Sequence, residues 1–352
     1  MSVATGANTI LVYRWEDDGA YAQDPGEVSD TENKVFGAGE SLDSQDRANN
    51  AERLYGPGSR KTEYILEAQF EGDWSTEFTF SNTWWFQFIF GKPSSTSIVD
   101  DTGTPPEYTH TYNTDPTNPP RSAQIIEEIQ YPDGTVHQTI YKGVVATSAD
   151  VEASTEDTAT VSLDGFYADE EFYEDPTNGP IGKIGTQPET EYRPLHFGNA
   201  ELLMDLEGSG SVTSKALVQD ATVSMEANAE QTYELGTRFT VAPQFLAFEP
   251  ELDYTALVNA DNKDEERRAS YGSVTATSPQ ETIISDDIEG RFDLINALDD
   301  ENSSAKIKTL GTFPDDFSRA NVGDPEEAIE DDVTRPARDI EVTVTADVQT
   351  PL

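Results

Sequence analysis

The chain has no cysteine in its 352 residues, so neither a disulfide framework nor a thiolate metal site is open to it. Lysine is scarce too: nine Lys and thirteen Arg make up the 22 basic residues against 68 Asp and Glu, for a formal net charge of -46. Nucleic-acid capture by charge needs Lys and Arg patches, and so few cations exclude it. No window approaches the roughly 18–20 apolar residues that span a bilayer, so no membrane insertion is expected. The first stretch, MSVATGANTILVYRWEDD, lacks a basic n-region and is not read as a signal peptide.

Recognisable chemistry is equally thin. The three histidines, His110, His137 and His196, fall in separate segments without metal-ligand spacing. GSGSVTSK (208–215) lacks the GxxxxGK[ST] order that cradles phosphate, and no GxSxG elbow occurs. DNKDEE (261–266) has acidic spacing but neither the glycine nor the distal Glu of a calcium loop. Among 68 carboxylates some pair falls at glycosidase spacing by chance, so acidic pairs carry no catalytic information. No catalytic, cofactor-binding or metal-ligating residue is assigned, and an enzyme is not expected.

What is present is acid and aromatic rings. Self-repulsion at this net charge opposes a compact state in dilute buffer, whereas molar salt shortens the Debye length to about 3 Å and removes most of that penalty. The composition therefore points to a protein of a high-salt cytoplasm. Intrinsic disorder is the competing reading of such charge, but 10% aromatic residues and long Thr/Val/Tyr runs supply a core.

Alternating β-branched and aromatic residues recur between turn clusters at 61–70, 137–153, 157–168, 221–227, 238–248 and 339–348, and predict strands. IIEEIQYPDGTVHQTIY (125–141) is the clearest hairpin, with Pro132, Asp133 and Gly134 as the turn. Short helices are predicted only at 259–272 and 286–300 and in the aromatic run TFSNTWWFQFIFGKP (79–93). There Ser81 or Asn82 suits an N-cap, Gly91 a C-terminal cap and Pro93 a stop, placing Trp84, Trp85, Phe88 and Ile89 on one stripe. A strand is the rival reading; we favour a short helix plugging the end of a β-sandwich, with the stripe as core.

The order of these pieces resembles the major tail tube protein family of long-tailed, siphovirus-like viruses. The likeness is carried by KVFG (34–37), the aromatic helix ending in Gly91, YTHTY (108–112), IYKGVVATSADVEA (140–153) and TVSLDGFYA (160–168). It continues through LVQDATVSMEANAEQTYELGTRF (217–239), ELDYTALV (251–258) and a last strand at 340–346. The resemblance implies a mainly β, tail-tube-type β-sandwich or barrel with a short aromatic helix and long loops, one domain over 1–352. Segments 91–121 and 169–215, rich in turn residues, are expected to be loop excursions. SADVEAS (148–154) echoes DATVSMEAN (220–228), as two related units would.

By the same resemblance the protein is a structural virion component, a homohexameric ring that stacks into the tail tube and conducts the genome into the host. Its partners would be itself, other tail proteins at the tube ends and double-stranded DNA in transit without specific binding. It would be assembled in the host cytoplasm, and the acidity suggests a halophilic archaeal host. Hairpin 125–141 is either the neighbour-pairing, lumen-lining element, presenting Glu127, Glu128 and Asp133, or an ordinary hairpin of one sandwich. The alternative function is an adhesive or sugar-binding β-sandwich on the virion surface, stacking sugars on Trp84, Trp85, Tyr167 and Tyr173.

Overall fold

The computed structural model describes residues 9–17, 21–22, 34–36, 38–44, 51–55, 61–65, 72–100, 107–155, 157–175, 177, 184, 200–205, 211–214, 217–235, 239–258, 267, 271, 273–279, 288–295, 304–312, 315–322 and 327–346. Five strands lead: β1 (Thr9–Trp15), β2 (Ala38–Ser44), β3 (Ala51–Tyr55), β4 (Lys61–Ile65) and β5 (Gly72–Thr79). A 3-10 turn (Trp84–Phe86) runs into the single-turn helix α1 (Gln87–Phe90). Next come β6 (Ser95–Asp100), β7 (Glu107–Asn113), β8 (Ala123–Gln130), β9 (Val136–Ser154), β10 (Thr160–Tyr167) and β11 (Asp169–Tyr173). The chain continues through β12 (Ala200–Asp205), β13 (Thr213–Ser214), β14 (Val218–Glu226), β15 (Ala229–Thr232), β16 (Ala242–Phe245) and β17 (Glu249–Leu257). It closes with β18 (Glu289–Ile295), β19 (Ser304–Leu310), β20 (Asp316–Ala320), β21 (Glu330–Pro336) and β22 (Asp339–Ala346).

Two antiparallel sheets make a β-sandwich, and neither closes into a barrel. The larger runs β2-β5-β10-β9-β14-β17-β21-β20, with β8, β1 and β11 gathered around the first half of β9; the smaller runs β13-β12-β18-β19-β22-β7-β6. Alternation places one face of each sheet inside. In β5 Trp74, Thr76 and Phe78 are buried while Asp73 and Glu77 face out. Val151, Val161, Val223 and Leu252 of the larger sheet share a core with Phe292, Ile307, Val342 and Val344 of the smaller. At about 1.5–3 kcal/mol for each fully buried large apolar side chain, this shared layer is the main favourable term.

The aromatic run is helical, and its rings cap the core. Trp85 stacks on Phe86 at 3.8 Å, Phe86 lies 5.7 Å from Tyr112 of the smaller sheet, and Phe88 lies 4.7 Å from Trp15 and 5.9 Å from Trp74 of the larger. Phe86 and Phe90 are buried along with the predicted Trp85, Phe88 and Ile89, whereas Trp84 is only half-buried. Thr83 occupies the N-cap position, and Asn82 reaches over it to accept the Trp84 amide at 3.2 Å. Gly91 closes the helix at φ +74, where a Cβ would meet the Pro119 carbonyl oxygen at 2.4 Å.

Two expectations are corrected. Segment 286–300 holds β18 rather than a helix: Ile288, Gly290, Phe292 and Leu294 are buried at period two, and Gly290 lies so close beneath Leu252 and Thr309 that a Cβ there would collide. The expected excursions are partly sheet, since 91–121 contributes β6 and β7 to the smaller sheet and 169–215 contributes β11, β12 and β13. Of the predicted helix at 259–272 only Arg267 and Tyr271 are described, both helical. The two echoing segments are neighbouring strands, Ser148–Ser154 of β9 pairing with Asp220–Glu226 of β14.

Candidate assembly surface

β9 organises the most unusual part of the molecule. Its nineteen residues have a contour of roughly 60 Å at about 3.3 Å per residue. The first half pairs with β8 and β11, the second with β10 and β14. The two halves meet at Gly143, which has φ +61 and no room for a side chain between Ala22, Ala168 and Tyr21. A buried carboxylate holds this point. Glu16, just past β1, accepts the Gly143 amide at 2.9 Å, the Ser122 hydroxyl at 2.5 Å and the Ala22 amide at 3.2 Å. Burial raises its pKa above the usual carboxylate range, against the pull of these donors and of Lys142. Lys142, buried beside the bend, pairs with Glu171 of β11 at 2.6 Å.

The hairpin forms as predicted, closed by a short turn. The Tyr131 amide donates to the Thr135 carbonyl at 2.9 Å, and Gly134 takes φ +88. Asp133 accepts the Thr135 hydroxyl at 2.6 Å and its amide at 3.0 Å, bonds that lower its pKa. The hairpin acids do not share a surface, however. Asp133 is exposed; Glu127 is half-buried, with burial raising its pKa against the Tyr141 hydroxyl at 3.4 Å. Glu128 is fully buried and accepts the Ile184 amide at 2.8 Å and the Gln138 side-chain amide at 3.2 Å. Glu128 therefore cannot line a channel, which corrects the grouping of the three. Its face of the hairpin is already covered, with Ile126 and Ile140 packed against Ile10, Val12 and Val35.

The four aromatics offered as sugar platforms are scattered. Trp85 and Tyr167 are buried. Trp84 has the Lys34 ammonium 4.7 Å over its ring, and the Tyr173 hydroxyl donates to Glu171. His110 is buried with Nδ1 3.0 Å from the Thr96 hydroxyl, and His137 lies between Tyr131 and Phe172 on the hairpin; His196 falls outside the described residues. Among the described residues no three His, Asp or Glu converge as a metal site would.

What the described strands offer is sheet edges and two separate two-stranded pairs, β3–β4 and β15–β16. Among the described strands, β2 and β20 end the main run of the larger sheet, β1 (bridged to Lys34 at Tyr13) and β11 end its branches around β9, and β6 and β13 end the smaller sheet. β15 and β16 form a separate two-stranded ribbon. Beyond its last rung Leu235 is fully exposed, and Phe239, Val241 and Leu246 are exposed around it. A family model described as phage tail tube protein matches residues 6–346. The chain belongs to the phage tail tube protein family. No curated protein matches it. Family membership makes the protein a structural component of the virion tail that assembles with itself and with other tail proteins.

Sequence reasoning missed Glu16, Gly143 and the Lys142–Glu171 pair. Nothing marks Glu16 among 68 acids, and its Ser122 and Gly143 partners are distant in the chain. Gly143 carried the one available signal, a glycine inside a long strand pattern.

Proposed function

We propose that the whole chain is one tail tube subunit that forms hexameric rings, and that the rings stack into the conduit through which the genome enters the host. The observation that carries this reading is the family match across residues 6–346, joined to a sandwich whose sheets end in strands able to continue into a neighbour. The role is architectural, not enzymatic. DNA would pass without being gripped, because 22 basic residues against 68 acidic ones leave few cations to hold phosphates. The same imbalance supports a virus of a halophilic archaeon, siphovirus-like, with assembly in the salt-rich host cytoplasm. The test is sedimentation of purified protein in molar salt. Concentration-dependent growth from monomer to rings and long polymers is expected, and a species that stays monomeric or trimeric at every concentration would overturn the reading.

A further inference from the structure

Copies of a chain at -46 repel one another, so the charge on each sheet face decides where a second copy can sit. The outer face of the larger sheet is a lattice of carboxylates and hydroxyls. One rung runs Thr160, Glu152, Thr222, Asp253, Thr334, Asp316 across β10, β9, β14, β17, β21 and β20. The next runs Ser162, Asp150, Ser224, Glu251 across the first four of those strands. Placing Ser or Thr between the acids keeps like charges from standing directly opposite one another. Along these strands no Lys or Arg shares the face: Arg335 is buried, and Arg319 pairs with the buried Asp331. Repulsion is felt even so, since burial and Asp150 raise the pKa of Asp164, and burial and Asp253 raise that of Glu251. A second copy would bring further carboxylates to this face.

The smaller sheet ends in ground of a different kind. Across β6, β7 and β22 the outward residues are Ser95, Thr111 and Thr343 on one rung and Ser97, Thr109 and Thr345 on the next. The residues between them on β7 and β22, His110, Tyr112 and Val344, are buried, so the six hydroxyl residues share the outer face. None of the six is charged. β6 is also the last strand of its sheet. Residues 94–98 are all exposed, Ile98 to 59%, and no charged residue occurs from 93 to 99. Native edges are commonly guarded by charge, and β2, β11 and β20 each carry acids. β6 has none before Asp100. An unguarded edge beside an uncharged face is where an acidic neighbour meets least repulsion, and interface cores are depleted of charge in the same way. A cationic partner would be drawn to the carboxylate face instead.

We propose that a second copy of this chain covers the corner formed by the β6 edge and the Ser/Thr face of β6, β7 and β22. The carboxylate face of the larger sheet stays free of protein. The proposal rests on the self-assembly reading and adds to it which surface of the subunit is covered.

Hydrogen exchange on the wild-type chain in molar salt, as free subunit and after assembly, reads the contact directly. The amides of 94–98 should exchange at least tenfold more slowly in the assembled state. Ser95→Asp with Ser97→Asp adds two acids at exposed positions. That variant should keep the melting temperature of the subunit and raise the concentration needed for assembly at least tenfold. Glu152→Gln with Glu226→Gln, which removes two exposed acids from the other face, should shift that concentration less than about twofold. Tubes in which 94–98 exchange as in the free subunit, or which the Asp variant builds at the wild-type concentration, would overturn the contact while leaving the tail tube reading intact. Small complexes protected at 94–98 that never build tubes would support the contact and count against the conduit. Chains that stay single at every concentration would contradict both.

Discussion

The Gly143 amide donates to the buried Glu16 carboxylate at 2.9 Å, fixing the point at which β9 leaves one set of neighbours for another. Glu16→Gln replaces one acceptor oxygen by an NH₂ that faces amide or hydroxyl donors. The loss should be about 1–3 kcal/mol, measured by denaturant unfolding in molar salt.

That difference should depend on pH. The folded-state pKa of Glu16 is raised above the ordinary 4.5, chiefly by burial. A raised value means that its contribution is fully present below about 4.5 and falls as pH climbs through the folded value. The stability of the wild type relative to Glu16→Gln should therefore decline as pH rises across that window. A difference that grows with pH would contradict the placement of this carboxyl.

Trp85 is fully buried between Phe80 and Phe86. Trp85→Ala should cost about 3–5 kcal/mol, as large-to-small core changes do, and abolish assembly through loss of the fold. Trp85→Phe should retain most of the melting temperature.

Two hairpin acids make a sharper comparison. Glu128 is buried and bonded on both oxygens, whereas Asp133 is exposed in the turn. Glu128→Lys puts a buried cation in place of an acceptor, and no soluble folded subunit is expected. Asp133→Asn should leave the subunit's melting temperature close to that of the wild type. Parallel expression and thermal scans distinguish them.

Salt should matter to the whole chain. Screening extends over about 3 Å at 1 M and 30 Å at 0.01 M, so a chain at -46 should lose β-sheet circular dichroism on dialysis to low ionic strength.

The legibility of this sequence followed the range of the forces involved. Hairpin 125–141, the strands at 160–167 and 339–346 and the aromatic helix are set by alternation, turn chemistry and caps within a dozen residues, and each appears where those signals lie. The helix expected at 286–300 is instead β18 because Gly290, Phe292 and Leu294 answer to a sheet contributed by strands distant in the chain. β6 and β7 lie in a segment whose turn-residue content reads as loop, and only β22, more than two hundred residues on, shows the sheet they join. Of the four aromatics singled out as platforms, Trp85 and Tyr167 are interior, which no local pattern in the sequence separates from Trp84 and Tyr173. Glu16 and Gly143 meet across 127 positions, which no local pattern records.

Electron microscopy of the purified chain in molar salt tests the central claim most directly. The account predicts hollow tubes whose end-on views show sixfold rings. Uniform single subunits under those conditions, with the chain folded by circular dichroism, would contradict it.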